Sequence, residues 1–421
     1  MRAGYGAFYA AFEGLSAGIM SANPPYGCDY DSSTIGPPLF ATPFVAAATG
    51  LSLGQPFPSP IPAYGASASH PNTTVDWSKY DPITGVPSFF HGNVSPYSES
   101  YTLSVQRQVA ANTVVSVGYV GNQAHHLLVL QSANPGNPQL CLKTPGCGPF
   151  SKTGVRGPFN SHFDAVTYQK TIGNSNYNAL EVSVRHNTGP LEFMVGYTYS
   201  KSIDQSSDLA EPVYPVAIDA AGKGIGPSLN RSISAFDMTH NFVASYHYEL
   251  PFDHLFQNHE RLTKGWVISG ITRFSTGFPV TLFNNNDTSL LGTIPNGINN
   301  NGVVTPNFTP GNLEINTDPR NGRSAFSASL LSLPALGQVG TARRRFCYGP
   351  GISNFDMALE KSVRLPESKS LEFRLEAFNL FDHAQFYGPA AVNGNISSAN
   401  FGQVVSAAPP RLVQLAAKFL F

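Results

Sequence analysis

The final eleven residues of the chain, 411–421, alternate between apolar side chains and side chains that are polar or small. One face carries Val413, Leu415, Ala417, Phe419 and Phe421, and the other carries Gln414, Ala416 and Lys418. A period of two predicts a β-strand, and this strand is long enough to cross a bilayer at a tilt. Its last residue is aromatic, which suits a membrane boundary. A terminal strand of a soluble β-sandwich shows the same alternation, so this segment alone leaves both structures open.

The composition favours an all-β protein with long loops. Only 12% of the 421 residues are charged, which is roughly half the fraction in an average soluble domain. Aromatic residues make up 12%, and the chain has 39 glycines and 34 prolines. These values argue against a helical enzyme, and the formal net charge of -1 gives no indication of nucleic-acid binding. No run of 18 apolar residues occurs, so no transmembrane helix is expected.

Period-two alternation recurs along the chain and predicts about ten strands. They are expected at 1–9, 97–109, 113–120, 176–185, 191–201, 240–250, 266–275, 354–363, 370–381 and 411–421. Long loops are expected at 10–95, 121–175, 202–238, 276–353 and 382–410. Long and short connections therefore alternate, which is typical of outer-membrane barrels with short periplasmic turns and long extracellular loops.

Charged side chains share one face of the predicted strands, opposite an apolar face. Glu372, Arg374 and Glu376 alternate with Leu371, Phe373 and Leu375. With the alternation of loop lengths, this pattern favours an antiparallel transmembrane β-barrel over a sandwich, with the polar face toward the lumen. The candidate lumen-lining residues are Glu181, Arg185, Glu372, Arg374 and Glu376. Candidate interfacial aromatic residues near strand ends are Tyr97, Tyr199, Tyr248 and Trp266.

Four cysteines lie in loop-like sequence: Cys28, Cys141, Cys147 and Cys347. Cys141 and Cys147 flank five residues and would close a small disulfide loop in an oxidising compartment. A cysteine-only metal site is less favoured because the chain has no CxxC pair. The pairing of the other two cysteines stays open.

No motif in the sequence predicts catalysis, a cofactor or a metal, so the chain is expected not to be an enzyme. Residues 14–18 match G-x-S-x-G, but that nucleophile elbow needs a following helix, which the prolines at 24 and 25 prevent. Residues 222–226 are glycine-rich without the spacing of a phosphate loop and predict a plain loop. Side chains that could ligate a metal occur at His125–His126, at Asp29–Asp31 and at Asn284–Asp287. For the two histidines, a role as simple polar neighbours at a strand end is favoured over metal ligation. For the other two segments, a solvated loop is favoured over a calcium site.

Several stretches resemble the C-terminal barrel of TonB-dependent outer-membrane receptors, in particular the Oar-like group with an N-terminal carboxypeptidase-regulatory-like domain. The resemblance runs through nearly all predicted strands and is weak in the long loops. It is carried by Arg2–Tyr9, Val115–Gly121, His125, His126, Ser175–Arg185, Tyr197–Asp204, Phe236, Asp237, His240, Gly265–Gly270, Arg374–His383 and the closing strand.

The resemblance implies a barrel of the Gram-negative outer membrane whose complete form has 22 strands around a plug. It implies energy-coupled uptake of a substrate, with outer-membrane lipid, the assembly machinery and the TonB system as partners. The terminal aromatics Phe419 and Phe421 resemble the signal that the assembly machinery recognises. Residues 1–421 are expected to be the C-terminal part of such a barrel, without plug, N-terminal domain or signal peptide. A surface adhesin and a passive porin-like barrel are the alternative functions.

Overall fold

The computed structural model describes residues 1–11, 41, 86–149, 159, 162–163, 166–208, 211–252, 260–292, 304–316, 318–319, 322–366, 369–388 and 390–421. Within these residues the chain is mainly β-structure. Short helices lie in the connections, among them Pro138–Cys141, Pro227–Asn230, Glu260–Thr263 and Ala328–Leu330. None of the helices in the described ranges has both the length and the apolar character needed to cross a membrane.

Ten strands form one antiparallel meander in which each strand pairs with the next along the chain. The strands are β1 (Arg2–Tyr9), β3 (Tyr97–Ala110), β4 (Thr113–Ser132), β5 (Val166–His186), β6 (Leu191–Asp204), β10 (His240–Glu249), β11 (Trp266–Ser275), β14 (Ile352–Arg364), β15 (Ser370–Phe378) and β16 (Leu412–Leu420). Strands β1 and β16 are its two edges. Six short strands lie outside this path: β2 (Val86–Phe89), β7 (Ala217–Ile218), β8 (Gly224–Ile225), β9 (Ser232–Ile233), β12 (Asn307–Phe308) and β13 (Leu331–Ser332).

The predicted number of long strands and the alternation of connection lengths are confirmed, but the prediction of a loop over 121–175 is wrong. Strand β4 continues to Ser132, and β5 already begins at Val166. In this extension buried side chains lie on both faces of the sheet: Val129, Gln131 and Val166 on one face and Gln169 on the other. Protein covers both faces there, so the sequence has no apolar–polar alternation to reveal the strands.

The pairing register sorts the side chains of the meander onto two faces. One face is polar and includes Ser104, Gln106, Ser116, Glu181, Ser183, Thr198, Ser245, Ser269, Glu360, Arg374 and Gln414. The other is apolar and includes Leu103, Val105, Val117, Tyr119, Leu180, Val182, Tyr197, Phe242, Phe274, Leu359, Leu375 and Leu415. Apolar side chains interrupt the polar face at several positions, among them Val120, Met194, Val243, Val267 and Ile271.

The apolar face of the sheet is exposed rather than packed against a second layer. Leu415 is 81% exposed, Val105 is 50% exposed and Phe373 is 47% exposed. A β-sandwich would bury this face, since burial of apolar area is the main source of its stability. The sheet therefore lacks the packing of a sandwich and presents the apolar surface that a lipid environment would cover.

Aromatic side chains mark both ends of this apolar face. Tyr97 and Tyr199 lie toward the long connections, whereas Tyr248 and Trp266 lie toward the short ones. Lys361 lies over the Trp266 ring, with its Nζ 5.2 Å from the ring centroid. Aromatic rings beside snorkelling cations are typical of a membrane–water interface, so the four predicted interfacial aromatics lie where a girdle requires them.

The long connections pack together at one end of the sheet. We call their described residues within 205–239, 276–351 and 379–411 the loop cap. The cap has its own hydrophobic core, which contains Val280, Leu282, Ala325, Phe326, Leu331, Ala342, Cys347 and Val392. The apolar core of the molecule thus lies mainly in its connections, while the strands keep their apolar side chains on the surface.

Candidate functional site in the loop cap

The polar face brings three of the five predicted lumen residues together on β15. Arg374 Nη2 lies 2.6 Å from Glu376 Oε1, and Arg374 Nε lies 3.5 Å from Glu360 Oε1 on β14. The Gln414 amide on β16 donates a hydrogen bond to Glu376. Glu372 is opposite Lys418 in the same register. Arg374 is 48% exposed, so this pairing contributes little to stability.

The other two predicted residues, Glu181 and Arg185, lie on the same face but on β5. Glu181 is opposite Thr198, and Arg185 is opposite Met194. Arg185 Nε donates a hydrogen bond of 2.7 Å to Asn187 Oδ1. Four strands separate β5 from β15, so the five predicted residues share a face without forming one cluster.

Where the polar face reaches the loop cap, Asp204, Glu211, Arg344 and Arg345 form a buried ion cluster. Arg344 Nη2 lies 3.0 Å from Asp204 Oδ1, and Arg344 Nη1 lies 3.1 Å from Glu211 Oε1. Arg345 Nη2 also pairs with Glu211 Oε1. All four side chains are at most 6% exposed. Two carboxylates thus balance two guanidinium groups away from water, the arrangement that buried charges need.

Hydroxyl groups extend the ion cluster and join two connections, the one after β6 and the one after β11. Ser207 Oγ donates to Asp204 Oδ2 at 2.7 Å and accepts from Arg345 Nη1 at 3.1 Å. Arg345 Nε donates to Thr281 Oγ1 at 2.7 Å. Burial lowers the pKa of Arg344 to about 10, which leaves its guanidinium charged at neutral pH. The cluster therefore fixes the end of β6 to the connection after β11.

A second buried acid, Asp237, anchors the cap beside this cluster. Its carboxylate accepts hydrogen bonds of 2.5 Å from the Ser202 backbone N–H and from the Tyr348 hydroxyl. Tyr348 in turn accepts from Lys201 and, at 2.9 Å, from Thr239. Burial and the hydrogen bond to Asp237 raise the pKa of the Tyr348 phenol, which keeps it a hydrogen-bond donor.

A cavity of about 570 Å³ opens beside the ion cluster. Its wall includes Ser207, Asp208, Glu211, Phe236, Thr281 and Arg345. Carboxylate, hydroxyl and guanidinium groups on a partly apolar wall suit reversible binding of a polar ligand. This cavity, which we call the vestibule, is the candidate functional site.

A family model described as an outer membrane beta barrel domain matches residues 1–414. The chain belongs to this outer-membrane β-barrel family. Its exposed apolar face therefore faces lipid, its long connections are extracellular, and its location is the outer membrane of Gram-negative bacteria.

Solved structures of outer-membrane transporters are similar at low identity. The outer membrane transporter YddB from Escherichia coli is 10% identical, with a TM-score of 0.42 over 79% of this chain and 34% of that chain. The ferric-catecholate import receptor Fiu from E. coli K12 is 12% identical, with a TM-score of 0.36 over 79% and 30%. The iron transporter FrpB from Neisseria meningitidis is 13% identical, with a TM-score of 0.35 over 79% and 32%. The match spans about a third of each transporter's length. A search of curated proteins gave no match.

Most of the segments considered for metal binding have structural roles in this outer-membrane barrel. His125 and His126 lie within a β-bulge of β4, between Ala124 and Leu127, and their rings are 5.1 and 5.8 Å from the Tyr97 ring. The described residues contain no cluster of three or more metal-ligating side chains. The prediction that Asn284–Asp287 is a solvated loop is wrong: Asn284 and Asp287 are 2% and 3% exposed. Residues 14–18, Asp29–Asp31 and Cys28 lie outside the described residues.

The predicted loop disulfide is confirmed, since Cys141 and Cys147 are bonded. The prediction of a plain loop at 222–226 is wrong in part: 222–223 end the turn after β7, but Gly224 and Ile225 form the short strand β8. Sequence reasoning missed the ion cluster and Asp237. One signal was available: Arg343, Arg344 and Arg345 are consecutive in a chain with few charges. Asp204 and Asp237 also lie within the stretches that carry the family resemblance.

We expect the Cys347 thiol of the outer-membrane barrel to resist alkylation in the native state. The residue is 6% exposed, and burial raises its pKa to about 12. At pH 8 only roughly one thiol in ten thousand is then ionised, and the thiolate is the reactive form. Mass spectrometry after iodoacetamide treatment of native and denatured protein measures the difference. The exposed thiol introduced by Leu333→Cys is the control; native labelling of Cys347 at the control's rate contradicts the expectation.

Proposed function

We propose that the chain forms the C-terminal barrel strands of a TonB-dependent receptor that takes up a substrate across the outer membrane with energy coupling. The stretches that resemble the Oar-like group support this, since they follow the order of the strands. The chain covers only about a third of the similar transporters, so plug and TonB contact belong, in this proposal, to N-terminal parts of a longer protein.

The observation that carries the proposal is the polar face of the sheet. By register it continues across all ten strands and lies opposite the lipid-facing side. A small barrel whose interior is packed with side chains does not require charged residues inside. A wide barrel with a hydrated or plugged lumen requires polar and charged residues on its inner face. In this proposal Glu181, Arg185, Glu372, Arg374 and Glu376 line the lumen, where they hydrate it or contact the plug.

The extracellular loop cap is the proposed first binding surface for the substrate. The vestibule lies at the outer end of the polar face, beside Asp204 and Glu211. A ligand held there would next meet the lumen. The ion cluster keeps the wall of the vestibule in place, which lowers the entropic cost of binding.

Intact mass and uptake measurements test the proposal. The native polypeptide in purified outer membranes is expected to be far heavier than 45.1 kDa. Cells with and without the protein are then given labelled ferric siderophores, sugar oligomers, peptides and cobalamin. One class is expected to accumulate only in cells with the protein, and a protonophore is expected to stop accumulation while surface binding persists.

Other outcomes would replace the transporter function with one of the alternatives. Accumulation that survives the protonophore, with a native mass near 45.1 kDa, would indicate a passive barrel. Absence of accumulation for every class, together with cell adhesion that surface proteolysis abolishes, would indicate an adhesin.

We also propose that Phe419 and Phe421 act as the signal for the assembly machinery. Phe421 is 96% exposed, and its ring lies 6.1 Å from that of Phe419 on the lipid-facing side. Phe421→Ala is expected to lower the amount of folded protein in outer membranes several-fold. Heat-modifiable gel migration measures the amount of folded protein, and Leu420→Ala is the matched control. Equal amounts of folded protein in both variants would contradict the assignment.

A further inference from the structure

A second cavity, of about 710 Å³, lies on the lipid-facing side of the barrel at its extracellular end. Its wall includes Lys201 and Ile203 of β6 and Ile233 of β9. Ile203 is opposite both Ile233 and Asn176. These residues continue the face that carries Tyr197 and Tyr199, so the cavity adjoins the lipid-covered surface rather than the lumen.

The wall of this cavity is strongly basic. Five cations line it: Lys201, Lys223, Arg231, Arg343 and Arg345. None of the described residues in the wall is acidic. Lys201 pairs with Asp237 and Arg345 with Glu211 behind the wall, whereas Lys223, Arg231 and Arg343 are exposed. We call the cavity the cationic cleft.

The cationic cleft lies at the level of the lipid headgroups, just outside the apolar band of the barrel. Tyr197 Oη and His240 Nδ1 are 2.8 Å apart, and the Tyr199 ring lies 5.2 Å from the His240 ring. This aromatic group marks the outer boundary of the apolar band. Lys201 is two residues beyond Tyr199, which places it roughly 7 Å further along the strand. Arg231 lies at the level of Ile203, two residues beyond Lys201, since its Nη2 donates to Asn176 Oδ1 at 3.0 Å and Asn176 is opposite Ile203.

We propose that the cationic cleft binds the phosphorylated headgroup of an outer-leaflet lipid. Phosphate oxygens match the guanidinium forks of Arg231 and Arg343 and the ammonium group of Lys223. The acyl chains of the same molecule then lie on the apolar face below, because cleft and face are continuous. A soluble anion has the same headgroup chemistry but gains nothing from that face. This inference is independent of the substrate and of energy coupling.

Native mass spectrometry of the protein purified from outer membranes and stripped of lipid tests the proposal. Bisphosphorylated lipid A is the probe. The triple variant Lys223→Gln, Arg231→Gln, Arg343→Gln is expected to bind it about 10- to 100-fold more weakly than the unaltered protein. The matched control removes three exposed cations near the short-turn end: Arg107→Gln, Arg261→Gln, Arg364→Gln. Its affinity is expected to change less than about two-fold.

Three further readouts make the outcome decisive. Heat-modifiable migration establishes that each variant is folded, and the single variant Arg343→Gln is expected to show an intermediate loss of affinity. Excess inorganic phosphate is expected to leave lipid A bound. Equal affinity of the two triple variants would overturn the proposal. Displacement of lipid A by inorganic phosphate at equal concentration would also overturn it, because the cleft would then be a site for soluble anions.

Discussion

Replacement of Glu211 by glutamine is expected to destabilise the loop cap by about 3–5 kcal/mol. One Glu211 oxygen accepts from both Arg344 and Arg345, and the other accepts from the Ser207 backbone N–H at 2.8 Å. The substitution leaves Asp204 as the only carboxylate in the ion cluster for two buried guanidinium groups. A buried charge without a partner is costly because protein cannot replace its hydration.

Hydrogen–deuterium exchange in the membrane-bound protein measures this effect. Faster exchange is expected in cap segments held by the cluster, 280–284 and 342–348, while the strands are expected to keep their protection. Glu376→Gln is the matched control: its partner Arg374 is half exposed, so the loss there is expected to stay below about 1 kcal/mol. Equal exchange in the two variants would show that the ion cluster does not hold the cap together.

Replacement of Val184 by arginine is expected to destabilise the folded barrel by about 2–4 kcal/mol. Val184 lies on the apolar face, opposite Val115 on one side and Val195 on the other. It lies between the aromatic residues that mark the two ends of that face. An arginine there has no water or carboxylate within the apolar band, so its charge must move toward an interface or thin the bilayer.

Urea unfolding of the purified protein in lipid vesicles gives the change in free energy. The neighbouring residue supplies the control, since Ser183 points to the polar face and is opposite Ser116 and Gly196. A Cβ at Gly196 would meet no atom within 4 Å, so space exists for a longer side chain nearby. Ser183→Arg is expected to change stability by less than about 1 kcal/mol. If the two variants were equally stable, Val184 would not face lipid.

Local sequence pattern predicted the barrel strands because each strand lies between two different environments. The alternation in β11 located Trp266–Ser275 without error, and Glu372, Arg374 and Glu376 were assigned to the polar face on which they lie. Lipid on one side and a polar environment on the other impose a period of two on every strand separately. No knowledge of neighbouring strands is needed to detect it.

The pattern disappeared wherever protein replaced both environments. The outer halves of β4 and β5 bury Gln131 on one face and Gln169 on the other, so residues 121–175 gave no strand signal. Side-chain chemistry inside the cap was equally hidden. Asn284 and Asp287 have the composition of a solvated loop but lie in the protein interior.

The sequence by itself thus determined the strands, their two faces and the alternation of long and short connections. The tertiary structure alone decided the ion cluster, the vestibule and the cationic cleft. Arg345 pairs with Glu211 across 134 positions, and Arg344 pairs with Asp204 across 140. Contacts so distant along the chain depend on how separate connections pack over the barrel. Periodicity reports only the surroundings of one segment, so it cannot select such partners.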